Sequence, residues 1–455
     1  MSGTKPSTAR DMTSGSIIKQ ILLFSLPLMF GNIFQMLYNT VDSIVVGNYV
    51  STQALAAVGS TTMIINMLVF FFNGFSVGAS VVISRFFGAK EIDRLHVAIE
   101  TTMAATFVFC VAFTFIGIKG VGPMLRFMAT PDDVFADAST YLTIYFAGIT
   151  GLLIYNMGSG ILRAVGDTIR PLFLLILTSV MNIILDLIFV KAFHFGIEGV
   201  AYATIISQFI SAALIMWLLI KTKDIYKLTF SDLKVDPESM KMIILIGLPT
   251  GIQSVITAFS NIFVQSYINY FGSDCMAGWS SYNKLDSFIM LPLQSMAMAA
   301  TTFVSQNIGA GKVKRAEEGT RTVIIMGVVT TGVIALFLYI FARPAIRMFS
   351  AEQAVIDYGA LFIHTNVFFL MFNCVNHTLA SSLRGRGDST GPMIIMLSTF
   401  VALRQTYLYL LTHYIANTPK LVGFGYPVGW MSCCVVEVTY YLIKYKLIAK
   451  KTPSR

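Results

Sequence analysis

Charge is scarce in this chain. Only 12% of its 455 residues are Asp, Glu, Lys or Arg, about half the share of a soluble protein. That shortage, set against 55% apolar residues, excludes a sizeable soluble domain. Cysteine is also sparse: Cys110, Cys275, Cys374, Cys433 and Cys434 fall into no CxxC or metal-ligand spacing. They read as small packing residues in apolar helices. The five histidines are scattered without an HExxH pair, which argues against a metal-dependent membrane enzyme. No GxxxxGK[ST] is present, which disfavours a primary pump. The polar start, MSGTKPSTARDMTSGSIIKQ, lacks a signal-peptide pattern, so the first apolar segment is expected to direct insertion.

What the chain has instead is apolar runs of about 20 residues along its whole length. Continuous runs rather than alternating ones select helices over a barrel. The expected fold is an all-α integral membrane protein of twelve transmembrane helices in two pseudo-symmetric six-helix bundles. Spans are read at 17–47, 53–82, 95–117, 137–160, 171–193, 198–220, 242–270, 276–303, 317–342, 356–380, 390–414 and 424–446. With the N-terminus inside, the inner segments hold 24 of the 32 Lys and Arg and the outer loops six, Lys284 and Arg404 lying within spans. By the positive-inside rule both termini are then cytoplasmic, in a multi-pass protein of the cell membrane. The net charge of +9 is thus a topology signal, and no nucleic-acid partner is needed.

The expected organisation is an N-terminal lobe over 1–220, a cytoplasmic linker over 221–241 and a C-terminal lobe over 242–455. The linker reads as a surface helix and loop that rests on anionic lipid. The two halves repeat at an offset of 221 to 222 residues: LRAVGDTIRPLF (162–173) over LRGRGDSTGPMI (383–394), SRFFGAK (84–90) over SQNIGAG (305–311), and SLPLMFGN (25–32) over GLPTGIQS (247–254). The last places Pro27 over Pro249. Halves of equal topology suit a transporter that works by alternating access. The Gly-rich turns with Arg and Asp read as helix caps and interhelix ion pairs.

Carboxylates inside apolar spans are costly and placed for ions, protons or buried partners. Asn182 and Asp186 are four apart and share one helix face. Thr204 mirrors Asp186 across the outer turn, both about nine residues, or roughly 13 Å, from it. Asp42 reaches similar depth in the first span. Two carboxylates with amide and hydroxyl oxygens suit a small hard cation or a proton. Gln35 and Asn39 share the face of Asp42 and, with Asn156, are expected to line a cavity in the N-terminal lobe. Asn373, Asn376 and Gln405 are the matching candidates in the C-terminal lobe. Lys284 and Asp286 are expected to pair with each other, or with Glu437 or Arg404. Pro27, 15 residues before Asp42, is placed to kink the first helix. The abundant Met and Phe would give any cavity a soft lining.

The block YNTVDSIVVGNYVSTQALAAVGS, the start MTSGSIIKQILLFSLPLMFGN and the paired SRFFGAK/SQNIGAG and LRAVGD/LRGRGD segments together resemble the multidrug and toxic compound extrusion (MATE) family. The resemblance implies export of varied, often cationic organic compounds against Na⁺ or H⁺ entry, with no cofactor beyond that ion and a single chain supplying both lobes. It also implies a cation site from an Asp in the first helix, Asn and Asp four apart in the fifth, and Thr in the sixth. These map onto Asp42, Asn182, Asp186 and Thr204. Where some members carry carboxylates in helices seven and ten, this chain has Thr257 and Asn373, and the repeat counterparts of Asn182 and Asp186 are Leu403 and Tyr407. Coupling is therefore expected in the N-terminal lobe. The runner-up is a lipid-linked oligosaccharide flippase of the same superfamily, disfavoured because only Lys284 and Arg404 are embedded bases.

Overall fold

The computed structural model describes residues 9–128, 130–229 and 235–447. Residues 230–234 of the linker, and Lys5, Lys234, Lys450, Lys451 and Arg455 from the charge count, lie outside the described residues. The first half runs through α1 (Ile17–Tyr49), α2 (Thr52–Ala89), α3 (Ile92–Phe127), α4 (Asp132–Ala147), α5 (Ile149–Ala164), α6 (Ile169–Leu187) and α7 (Ile197–Lys221). The second runs through α8 (Pro237–Asn269), α9 (Ser273–Gly309), α10 (Val313–Ile340), the short α11 (Ala342–Arg347), α12 (Gln353–Asn366), α13 (Leu370–Gly385), α14 (Thr390–Met396), α15 (Arg404–Tyr414), α16 (Pro419–Gly423) and α17 (Gly425–Tyr441).

Among the described residues, eleven helical stretches are long and apolar enough to cross a membrane. A twelfth span, the fourth in order, is formed by α4 and α5, bent by 49° at Gly148. The all-helical twelve-span expectation therefore holds, with that break as a detail. Wide turns occur at Ile188–Ala192 and Leu397–Leu403, and a 3₁₀ turn at Val367–Phe369 joins α12 to α13. Such irregular turns inside helices recur at functional places.

The chain divides into two compact units. One comprises Met1–Met12, of which residues 9–12 are described, with Leu26–Leu248; the other comprises Thr13–Ser25 with Pro249–Arg455. The start of α1 thus packs with the second unit, and the start of α8 with the first. The changeovers fall at Leu26 and Pro249, beside the repeated prolines Pro27 and Pro249, which lie inside α1 and α8. In the first unit the start of α8 lies close on α2: a Cβ added to Gly78 would stand 2.5 Å from the Ile243 carbonyl oxygen. In the second unit Lys312 Nζ donates to the Thr13 carbonyl at 2.9 Å, and Arg315 donates to the carbonyls of Ser14 and Gly15.

The sequence repeat extends to backbone conformation. Gly166 and Gly387, 221 apart, have φ of +86° and +90°, and Lys90 and Gly311, also 221 apart, have +60° and +71°. Each closes a helix in the left-handed region. Asp167 Oδ1 then accepts from the amides of Ile169 and Arg170, while Asp388 Oδ1 accepts from Gly391 N. Asp388 also bonds Tyr440 and Lys444, the latter at 2.6 Å. These are the caps and interhelix pairs that the LRxxGD repeat suggested.

Gly166→Ala would strain a positive φ and drive its Cβ to 2.5 Å from the Arg10 carbonyl oxygen. We expect a loss of about 1–3 kcal/mol, read as a lower melting temperature of the purified protein. A second test concerns Asp236, just ahead of α8. Its Oδ2 accepts from Ser239 N at 2.7 Å, and the Ser239 backbone, then its hydroxyl, holds the carboxyl below the usual carboxylate range. A group with a depressed folded value stabilises above its unfolded value and loses that contribution as pH falls through the folded one. The protection factor of the Ser239 amide, its exchange corrected for the intrinsic pH dependence, should therefore fall below about pH 3.9 and stay level between pH 5 and 8.

Candidate cation site

In the first unit, α1 carries Asp42, α6 carries Asn182 and Asp186, and α7 carries Thr204. The i, i+4 spacing stacks Asn182 and Asp186 on one buried face, at 3% and 0% exposure. Asp42, half-buried on α1, brings its carboxyl group directly beside that of Asp186. Thr204 is buried, its hydroxyl donating to the Val200 carbonyl at 3.0 Å, which leaves the oxygen free to accept.

The hydrogen bonding around this group is incomplete. Asp42 Oδ1, both Asp186 oxygens and both amide atoms of Asn182 are buried and have no protein hydrogen-bond partner. Buried polar atoms are ordinarily satisfied, and unmet ones cost about 1–3 kcal/mol each. Two adjacent carboxylates repel unless a positive charge lies between them. A proton or a small cation answers both demands. Asp186 also sits two residues before the wide turn at Ile188–Ala192, where the helix backbone departs from regular bonding.

Three tyrosines complete the surroundings, and the sequence reading missed them. Tyr38 on α1 and Tyr141 on α4 both lie within electrostatic reach of Asp42 and Asp186. Tyr145, stacked on Tyr141 at 6.4 Å, is bonded to Gln208 of α7. A signal was available: Tyr38 is four residues before Asp42, and Tyr141 and Tyr145 are four apart, each pair sharing a helix face.

The other predicted residues scatter. Gln35 and Asn39 are exposed on α1, whereas Asn156 is half-buried and donates to the Leu152 carbonyl of its own helix. In the second unit Asn373 donates to Met290 Sδ, Asn376 donates to the Trp430 carbonyl, and Gln405 donates to Ser260. The expected pairing of Lys284 with Asp286 is not formed. Lys284 is exposed, its Nζ 5.5 Å from the Phe349 ring, because residues two apart point to different sides of a helix. Arg404 instead bonds Ser260 and Asn261 and stacks on Tyr426 at 4.7 Å. Glu437, fully buried, has Arg384 as its basic neighbour. Arg384 reaches it from the LRGRGD segment, which the sequence reading gave to helix caps and interhelix ion pairs without naming this partner, and also bonds Gln253 at 3.1 Å. Pro27 lies inside α1, as expected.

The MatE family pattern matches the chain twice, over residues 27–188 and 249–410, one match in each half of the repeat. The chain belongs to the MATE family. Among its relatives, the "Probable multidrug resistance protein YoeA" of Bacillus subtilis is 28% identical over 97% of both chains. The "Probable multidrug resistance protein YpnP" of the same organism is 29% identical over 95% of this chain and 96% of that one. A solved structure described as an "Outward-facing conformation of a multidrug resistance MATE family transporter of the MOP superfamily" superposes with a TM-score of 0.91. It is 24% identical over 99% of this chain and 100% of the other, which establishes the shared MATE fold.

Proposed function

We propose that this MATE protein is a secondary active multidrug exporter. It expels organic, often cationic compounds across the cell membrane in exchange for Na⁺ or H⁺, as a single chain with both termini cytoplasmic. The names of its relatives support the substrate class, and the Lys and Arg bias supports the orientation. The observation that carries the coupling is the contact of two buried carboxyl groups, Asp42 and Asp186, with no protein donor on either Asp186 oxygen. An entering cation or proton would bind there from outside and bias α1 toward the state that releases substrate. Binding at the pair and binding of drug each need different affinity in the two states, as any exchange requires.

The test is efflux of an ethidium-like dye cation from proteoliposomes under an imposed Na⁺ or H⁺ gradient. Efflux driven by one gradient and not by an equal membrane potential alone is the expected result, and it names the ion. No dye movement under either gradient would overturn the reading.

A further inference from the structure

The turn that ends α13 carries a charge that the repeated scaffold does not need. Both halves close an LRxxGD turn in the same way, and the matching residues 221 apart are Val165 after α5 and Arg386 after α13. In the first unit the acid of that turn, Asp167, pairs with Arg170 at 3.4 Å, and Arg170 donates to the Tyr226 hydroxyl. In the second unit the matching acid, Asp388, is taken by Lys444 and Tyr440. Each acid thus has its base before Arg386 is counted. A base at a helix C-terminus is favoured by the helix dipole, yet α5 ends on valine without one.

Arg386 is seated against aromatic rings. Its Nη2 donates to the Tyr441 hydroxyl at 3.0 Å, and the guanidinium carbon lies 5.4 Å from the Tyr441 ring and 4.6 Å from the Tyr445 ring. No ion pair among the described residues includes it, and its Nε has no hydrogen-bond partner. Most of the donor capacity of the guanidinium is therefore unspent. Lys444 stands beside it, its Nζ 5.8 Å from the same Tyr445 ring. Two bases share this tyrosine against a single acid. The counterparts of Tyr441 and Tyr445 in the first unit are Ile220 and Asp224, so the arrangement belongs to the second unit alone.

The cluster sits at the end of a membrane span. The last apolar stretch runs over Pro419–Tyr445, and Leu442 and Ile443, between the two tyrosines, are exposed. Tyrosines and bases beside exposed apolar side chains are the composition of a membrane–water boundary. We propose that Arg386, backed by Tyr441 and Tyr445 and flanked by Lys444, binds the phosphate of an anionic phospholipid. One phosphodiester charge balances the one unpaired guanidinium, whose planar fork suits phosphate oxygens. The acyl chains would lie along Leu442 and Ile443. A zwitterionic headgroup brings its own ammonium group and competes for the same phosphate, and a soluble phosphate gains no apolar contact. Lipid binding is read directly, whether or not the protein exchanges drugs for ions.

The test uses purified full-length protein, stripped of lipid in detergent and given equal amounts of dioleoyl phosphatidylglycerol and dioleoyl phosphatidylcholine. Native mass spectrometry counts the lipids retained. Wild type should keep the glycerol lipid in preference. Arg386→Val, which installs the first unit's residue, should lower that preference about tenfold, the size of one charge-assisted contact. Tyr445→Ala keeps the charge and removes a ring behind it, and should lower the preference about threefold. It carries the test if Arg386→Val is not monodisperse in gel filtration. Arg94→Ala removes an exposed base paired with Glu91 and should leave the preference unchanged. Equal retention of the two lipids by wild type overturns the proposal. So does an equal loss in Arg386→Val and Arg94→Ala, which diffuse charge would give, or full displacement of the glycerol lipid by millimolar inorganic phosphate.

Discussion

Asp42→Asn and Asp186→Asn should each abolish gradient-driven dye efflux while leaving the protein as stable as wild type or more so. Each change keeps the side chain's size and removes one of two charges in contact. Losing a carboxylate's grip on the driving cation at about 3 kcal/mol is roughly a hundredfold in affinity, and efflux should fall by at least that factor. The stability half is the more diagnostic. A pair built for packing would lose stability when altered, whereas a pair built to hold a positive charge is relieved by neutralising one member. Melting curves in matched Na⁺ and Na⁺-free buffers across pH 5–8, run beside efflux, read both. Full efflux in either variant would remove that residue from the proposed exchange.

The second large effect is expected at Gly78→Val, and it concerns folding. An added Cβ would meet three backbone atoms of α8, the Ile243 carbonyl oxygen at 2.5 Å, Gly247 N at 2.7 Å and Gly247 Cα at 2.8 Å. No rotamer change relieves a clash with backbone. Overpacking ordinarily costs about 1–3 kcal/mol, and this site belongs at or beyond the top of that range. The expected outcome is loss of monodisperse protein in fluorescence-detected gel filtration. Gly59→Ala is the control on the same helix, because nothing lies within 4 Å of its added Cβ. Equal yields of the two variants would show that α2 and the start of α8 can separate without penalty.

The fold was legible because apolar runs of membrane length are self-announcing, and the repeat fixed their grouping into halves. The break at Gly148 was not legible: α4 and α5 read as one run, and the close approach of Ile205 of α7, 2.4 Å from where a Cβ on Gly148 would stand, is a tertiary contact that no local pattern announces. The acid pair was legible since carboxylates in apolar spans are few. The tyrosines beside it were not, because Tyr in a membrane segment is common and only the packing of α4 beside α1, α6 and α7 gives Tyr141 and Tyr145 their neighbours. Lys284 and Asp286 misled through nearness in sequence. Glu437 was offered to Lys284, whereas its basic neighbour is Arg384, 53 residues earlier in the chain.

The division at Leu26 and Pro249 has a consequence for synthesis. Residues 13–25 leave the ribosome early but belong to a unit whose other members begin at 249, so they must wait for more than half the chain. The first unit, in turn, is not complete until residue 248 has been made. A gene cut in the linker would not yield two self-sufficient products. Each half would carry a helical stretch native to the other, and only co-production of both would let either finish folding.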